Sequence, residues 1–327
     1  MHAGTRRRSR EIDGIVVLNK PVGMTSNAAL QRVKRLLRAK KAGHTGSLDP
    51  AATGMLPLCF GEATKTAAFL LDADKTYRVA ARLGAATDTG DADGEIVAHE
   101  SVPELSVAEW SRVLAGFLGR SEQTPPMYSA LKHGGKRLYE LARQGEVVDR
   151  PARTIDIGDI ALAEVRGRRL VFRVRCSKGT YIRTLVEDIA ARAGTVAHTR
   201  RLHRESVAGF EPASMLSLGA VARCIDEGRL TELLHAPDVA LAHFPSVRLD
   251  TRHSVEFCQG RAVGAPTVGA SGGLLRVYGS DGHFLGLGRP DEAGLLAPKR
   301  VFRKAFDPER LAATEDGAGG DSAASER

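Results

Sequence analysis

Residues 168–194, RRLVFRVRCSKGTYIRTLVEDIAARAG, change periodicity halfway along, and that change sets the architecture. Up to Cys176 the pattern alternates: Leu170, Phe172, Val174 and Cys176 share one side, with Val171, Arg173 and Arg175 on the other, as in a strand with one buried face. SKGT then turns the chain, and YIRTLVEDIAARAG keeps helical spacing until Gly194, a residue suited to ending a helix. Tyr181 and Arg183 therefore stand where a strand hands over to a helix, a frequent position for ligand contacts.

Strands and helices interleave on either side of this unit. GIVVLNK (14–20) is a short apolar strand ending at Pro21, after which Thr25 and Ser26 cap a helix with Leu30, Val33 and Leu37 on one face. KTYRVAARLG (75–84) alternates with period two, placing Tyr77, Val79, Ala81 and Leu83 opposite Arg78 and Arg82. SVAEWSRVLAGFLG (106–119) opens with a capping box, Ser106 with Glu109, and carries Trp110, Val113, Leu114 and Phe117 at helical spacing. Past residue 245 the texture shifts to short strands. GGLLRVYGSDGHFLGLG (272–288) reads as a hairpin turning near Asp281–Gly282, within a small, mostly β domain at about 246–308.

The chain's 327 residues and 43% apolar content suit a soluble protein of two domains with a sizeable core. No apolar run approaches the roughly 18 residues of a membrane span. The basic start MHAGTRRRSR is followed by EIDGIVVLNK and not by a signal-peptide core. Four cysteines, Cys59, Cys176, Cys224 and Cys258, lie far apart with no CxxC pair, which fits a reducing cytoplasm and argues against a disulfide framework or a zinc site. Residues 1–10 and 309–327 read as disordered tails. Net charge is +8; setting aside the four arginines of residues 1–10 and the −3 of residues 311–327 leaves +7 on the body, which suits a polyanionic partner.

Local chemistry leaves several motifs open. GHTGSLDPAATG (43–54) lacks the Gly-Lys-Ser/Thr ending of a phosphate cradle. Its simplest reading makes Asp49 the N-cap, and Pro50 the first residue, of a helix over AATGMLPL, which leaves His44 and three glycines unexplained. TDTGDADGEIVAHE (87–100) falls in EF-hand register only if Thr89 takes the first ligand position, so a carboxylate-rich turn is the better reading. RGRR (166–169) reads as a solvated turn within reach of phosphates. Residues 123–151, rich in Pro, Gly, Lys and Arg, read either as a surface insertion or as a mobile arm that closes on nucleic acid. His198 and His203 have no metal-ligand partners at useful spacing.

Five motifs taken together go further. LNKPVGMTS (18–26), GHTGSLDPAATGMLPLCFGEATK (43–65), DKTYRVAARLG (74–84), TDTGDADG (87–94) and CSKGTYIRTLVEDIA (176–190) closely resemble, in order, those of the TruB family of bacterial tRNA pseudouridine synthases. The implied fold is α+β: a catalytic domain over 11–245 with a central mixed or antiparallel sheet flanked by helices, 123–151 as an RNA-binding insertion, and a PUA-like RNA-binding domain over 246–308. The implied reaction isomerises uridine 55 of the tRNA T-loop: the N1–C1′ bond breaks, the uracil rotates, and a C5–C1′ bond forms. Metal and cofactor are not required.

By the same resemblance Asp49 is the catalytic nucleophile, attacking either uracil C6 or ribose C1′. Tyr77 stacks on the target base and is a candidate for the C5 proton transfer, and Arg183 pairs with Asp49, with Asp91 as its second carboxylate. His44 packs against the flipped-out nucleotide, Tyr181 and Leu202 are further pocket contacts, and Lys20 with Pro21 shapes the pocket floor. A target inside a folded loop must be extruded before its atoms can be reached, and stacking on an aromatic side chain offsets that cost. The implied partner is the T-arm of tRNA, met by a cytoplasmic monomer with no membrane association and no obligatory protein partner. One departure is the run His203-Arg204-Glu205 after Leu202, where the family usually has two arginines followed by Thr or Leu. Two alternatives stand beside this reading: an RNA-binding protein in which Asp49 only caps a helix, and a guide-dependent relative that works within a ribonucleoprotein.

Overall fold

The computed structural model describes residues 9–264 and 273–302. Residues 1–8 of the tail expected at 1–10, the tail expected at 309–327, and the last residues of the expected C-terminal domain lie outside that range. Arg10, assigned to the tail, instead donates its amide to Arg38 O at 2.7 Å.

Strand β1 (Gly14–Lys20) leads into α1 (Ser26–Leu37), whose N-cap Thr25 accepts from Ala28 N. Leu30, Val33 and Leu37 are buried against Leu18, Leu56 and Leu58, as their spacing predicts. Strands β2 (Ala42–His44) and β3 (Thr53–Phe60) flank the Asp49 loop. The helix expected over AATGMLPL does not form: this segment is the start of β3, and Asp49 sits in a turn closed by Ala52 N donating to Asp49 O. Long-range pairing overrides the local cap signal. Strand β3 runs beside β1 in unbroken register from Gly14↔Phe60 to Lys20↔Gly54, with every residue after Thr53 buried. Gly54 has φ +104°, and a Cβ there would lie 2.3 Å from Arg204 O, so only glycine lets that neighbouring strand come in.

Helix α2 (Ala67–Asp72) precedes β4 (Lys75–Leu83), and β5 (Ala85–Thr87) pairs with β6 (Ile96–His99). Helix α3 (Val107–Ala115) carries the expected capping box and leads to β7 (Gly119–Gln123). The 123–151 segment holds a hairpin of β8 (Lys132–His133) and β9 (Lys136–Arg137), then α4 (Leu138–Ala142), which buries Leu138 and Leu141. Long strands β10 (Arg153–Arg166) and β11 (Arg169–Cys176) form a hairpin, and α5 (Ile182–Arg192) leads to β12 (Ala197–Val207).

The central sheet runs β1-β3-β12-β4-β11-β10-β7, with β2 beside β3. All neighbours are antiparallel except the short β12–β3 contact, so the sheet is mixed. One face of β4 and β11 packs Tyr77, Val79, Leu83, Phe172 and Val174 under Trp110 of α3 and Leu185, Val186 and Ile189 of α5. Their other face presents Arg78, Arg82, Arg173 and Arg175 to solvent. The architecture is α+β, a sheet with helices on it.

Helices α6 (Leu218–Asp226) and α7 (Leu230–Leu233) then cover the β1 end. Beyond them β13 (Ser246–Arg248), α8 (Thr251–Cys258), β14 (Leu275–Tyr278), β15 (Phe284–Pro290) and β16 (Leu296–Val301) build a four-stranded sheet around Phe257, Val277 and Leu296. Strands β14 and β15 are the expected hairpin, closed at Gly279–His283. This small β unit meets the larger one where Lys65 Nζ donates to Val301 O at 2.7 Å. Among the described residues no helix is long and apolar enough to cross a membrane.

Candidate active site

The Asp49 loop is pinned from both sides by the segment that opens α1. Ser26 Oγ accepts from Leu48 N at 2.7 Å and donates to Leu48 O at 3.1 Å. One step on, Pro50 O accepts from Gly23 N at 2.8 Å and from Lys20 Nζ at 3.4 Å. Lys20 is fully buried, and its ammonium also donates to Pro21 O and Met24 O. Burial lowers its pKa to about 8, with nearby Arg204 acting the same way and Asp49 opposing. The lysine expected to shape a pocket floor is thus a bracket for the Asp49 loop.

Arg183, in the first turn of α5, is 7% exposed at its side chain and spends its fork on four groups. Nε stands 3.1 Å from Asp49 Oδ2. Nη1 donates to Thr89 O at 2.7 Å and lies 3.5 Å from Asp91 Oδ2. Nη2 donates to Tyr128 O at 2.7 Å, so the 123–151 segment is rooted on the same guanidinium. Tyr181, the N-cap of α5, is held through its backbone by Gln123, whose amide both donates and accepts. The handover from β11 to α5 delivers these two residues as the sequence pattern indicated.

Asp91 comes from the carboxylate-rich turn. Its Oδ1 accepts from Thr89 Oγ1 at 2.7 Å and Asp93 N at 3.1 Å, and Asp88 Oδ1 accepts from Glu95 N. These carboxylates are spent on their own turn and on Arg183. Among the described residues no three His, Cys, Asp or Glu side chains are grouped to hold a metal.

A small open cavity of about 10 Å³ brings together Asp49, Asp91, Arg183 and Leu202, with Ala51, Ala52, Thr199, Arg200 and Arg201 completing its wall. Burial raises the Asp49 carboxyl above its ordinary value; Arg183 pulls it down, Asp91 pushes it up, and Lys20 and Asp93 act more weakly. Arg183 acts in the expected sense, but desolvation outweighs it, although the side chain keeps 44% of its surface open.

Tyr77, Tyr181, Lys20 and His44 do not line that cavity. Tyr77 is buried on β4, and desolvation pushes its phenol up, with the Asp49 charge adding to the rise. The nearby Arg204 charge opposes both. Tyr181 is also raised, by burial first, and it too feels Asp49. His44, on β2, is held toward its neutral form by burial and by Arg204, and its buried Nδ1 has no hydrogen-bond partner.

Arg204 is the residue that sequence reasoning missed. It is 1% exposed, yet it sits in a run, RLHRES, that reads as polar surface. Its Nε donates to Met55 O at 2.6 Å and Nη2 to Gly46 O at 3.3 Å, fixing the loop from beneath. The other members of that run are ordinary: His203 Nδ1 lies 2.8 Å from Thr53 Oγ1, and Glu205 accepts from Arg173 Nε at 2.7 Å. His198 is likewise a buried polar residue, its Nδ1 2.8 Å from Ala85 O.

A family model described as TruB family pseudouridylate synthase (N terminal domain) matches residues 34–182, and one described as Pseudouridine synthase II TruB, C-terminal matches residues 245–302. The chain is 48% identical over 301 residues to tRNA pseudouridine synthase B of Chromohalobacter salexigens, covering 92% of this chain and 97% of that protein. It is 44% identical over 319 residues to the protein of the same name from Yersinia pestis, covering 94% and 97%. Among solved structures, the crystal structure of a Cbf5–Nop10–Gar1 complex superimposes with a TM-score of 0.70 at 25% identity, over 91% of this chain and 86% of that one.

Proposed function

Because the chain belongs to the TruB family of pseudouridylate synthases, we propose that it isomerises uridine 55 of tRNA at the Asp49 cavity, with the T-arm as the part of the RNA it grips. The observation that carries this reading is the junction at Arg183, where Asp49, Asp91 and the root of the 123–151 segment meet on one guanidinium.

The chemistry follows from those groups. The carboxylate of Asp49 forms a covalent bond to the flipped nucleotide, at C6 or at C1′, and the N1–C1′ bond breaks. The uracil turns, C5 bonds to C1′, the C5 proton leaves while N1 takes up a proton, and Asp49 is released unchanged. Arg183 orients the nucleophile in a fixed fork, which lysine does not reproduce. Tyr77 takes or relays the C5 proton. A buried phenol resists ionisation, and the nearby Arg204 charge acts in the opposite sense, favouring the charge that proton removal demands. His44, neutral and short of a partner at Nδ1, and the half-buried Tyr181 and Leu202 bracket the extruded nucleotide. Lys20 acts on the loop.

We take 11–245 as the catalytic unit, 123–151 as its T-arm grip, and 246–308 as a PUA-like RNA-binding module, working as a cytoplasmic monomer. The binding-only alternative loses its structural support, since Asp49 caps no helix. The guide-dependent alternative is disfavoured because the curated relatives at 44–48% identity are named as tRNA enzymes. Purified chain incubated with tRNA tritiated at uridine C5 is expected to release label without ATP or added metal, and Asp49→Asn to release none. Undiminished release from that variant overturns the assignment.

A further inference from the structure

The RGRR turn is not used by the mechanism above, yet the fold places it in a groove. Arg166, Arg168 and Arg169 at the β10–β11 turn, Arg82 on β4, and Arg200 and Arg201 on β12 line an open groove of about 450 Å³. Its only other lining residues are Ala80 and Ala81, so the floor is small and apolar and none of its lining is acidic.

Three of these arginines face one another directly. Arg166 is paired in register with Arg169, and Arg169 with Arg82. Like charges directly opposed on neighbouring strands destabilise a sheet. Two pleats along, Arg173 opposes Arg78, and there Glu205 and Asp159 stand 2.7 and 3.9 Å from Arg173. Arg175 is likewise matched by Asp74. In the groove Arg169 has Glu164 at 3.5 Å, while among the described residues Arg82, Arg166, Arg168, Arg200 and Arg201 have no carboxylate within ion-pair distance. The same sheet face therefore gives Arg173 and Arg175 carboxylates at one end and, Arg169 apart, leaves the groove arginines without them at the other.

Strand β12 connects this groove to the chemistry. Its register slips between Thr199↔Ala81 and Arg201↔Ala80, leaving Arg200 as the extra residue of a bulge. Arg200 and Arg201 line both the groove and the Asp49 cavity, so the two openings share a wall.

We propose that this groove binds the phosphate backbone of the same RNA strand whose nucleotide enters the Asp49 cavity, the phosphates supplying the charge that the sheet withholds there. The proposal rests on the RNA-modifying reading and adds a binding subsite to it. Exposed arginines within reach of consecutive phosphates release counterions on binding, and each contact adds about 0.7–0.9 to the slope of log affinity against log salt.

The test is the affinity of the full chain for an unmodified tRNA transcript, measured across a salt series. Arg166→Ser/Arg168→Ser/Arg169→Ser is expected to lower that slope by about 2–3 units. The corresponding lysine triple variant is expected to keep the slope, and the serine variant to melt no lower than the parent, since repulsion is relieved. Arg200→Ser/Arg201→Ser, on a different strand, is expected to lower the slope by about 1–2 units. As a charge control, Arg32→Ser/Lys34→Ser/Arg35→Ser on α1 removes the same number of charges from the far end of the sheet. An unchanged slope in both groove variants, or an equal loss in the α1 control, overturns the proposal. Label release by the parent chain, followed in parallel, separates the outcomes: its absence counts against the catalytic reading, whereas a retained slope counts against the groove alone.

Discussion

Arg204 and Tyr77 stand directly opposite each other on β12 and β4, and the Arg204 charge opposes the rise that burial gives the phenol. The same guanidinium donates to Met55 O and Gly46 O, so one buried charge stands between Tyr77 and the floor of the Asp49 loop. Arg204→Met is expected to leave the phenol's rise by burial unopposed and to cut single-turnover isomerisation by at least ~10²-fold, the lower end of a general base's contribution. Arg204→Lys restores charge without the fork and should recover part of that loss. Affinity for tRNA should change far less than the rate. A variant that loses affinity and rate together would make Arg204 a folding residue only, which a parallel melting curve shows.

Arg183→Lys separates geometry from charge. Lysine cannot reach Asp49 O, Asp91 O, Thr89 O and Tyr128 O from a single ammonium, so the carboxylate loses its alignment while the site keeps its charge. Turnover is expected to fall about 10–100-fold with less than a threefold change in affinity, the signature of an interaction made mainly in the transition state. Limited proteolysis should also cut the 123–151 segment sooner, because its tether at Tyr128 O is gone.

Much of this molecule is legible in sequence wherever burial is one-sided. Tyr77, Val79 and Leu83, and likewise Leu170, Phe172 and Val174, alternate because one face of β4 and β11 is core and the other is solvent. Strand β3 breaks that rule: it is buried on both faces, so Met55 to Phe60 show no period, and the Asp-Pro before them imitates a helix start. Arg204 was invisible for a related reason. Its acceptors lie 149 and 158 residues away, and nothing in its own neighbourhood announces burial. The candidate site was readable through ordered motifs, but local chemistry alone favoured a cap at Asp49. The bracket formed by Lys20 and Ser26 shows why the two motifs belong together: the first holds the loop of the second.

Ser26→Ala tests that bracket. It removes the acceptor of Leu48 N and the donor to Leu48 O in a buried place, leaving a polar group unsatisfied at a cost of about 1–3 kcal/mol. The melting temperature should fall by several degrees, and turnover should fall further than lost stability explains when assayed well below the transition. Ser26→Thr, which keeps the hydroxyl, should restore turnover. Full activity in the alanine variant would mean that Gly23 and Lys20 hold the loop unaided.

The raised pKa of Asp49 makes both activity and stability depend on pH in a defined sense. The proposed mechanism requires Asp49 to be ionised, so the acid limb of kcat/KM should lie above the ordinary carboxylate value and not at it. For stability, a carboxyl raised in the native state binds its proton more readily there than in the unfolded chain. Stability therefore falls as pH rises from the unfolded value through the native one, and the ionised side chain remains a burden above that window. Asp49→Asn lifts the burden, while Asp91 still partners Arg183. The variant should melt at the same temperature as the parent or higher at pH 7, and the gap should close as pH drops below the ordinary carboxylate range. A variant less stable than the parent by the same margin at every pH would mean that Arg183 depends on Asp49 for folding and that burial does not dominate the nucleophile's protonation.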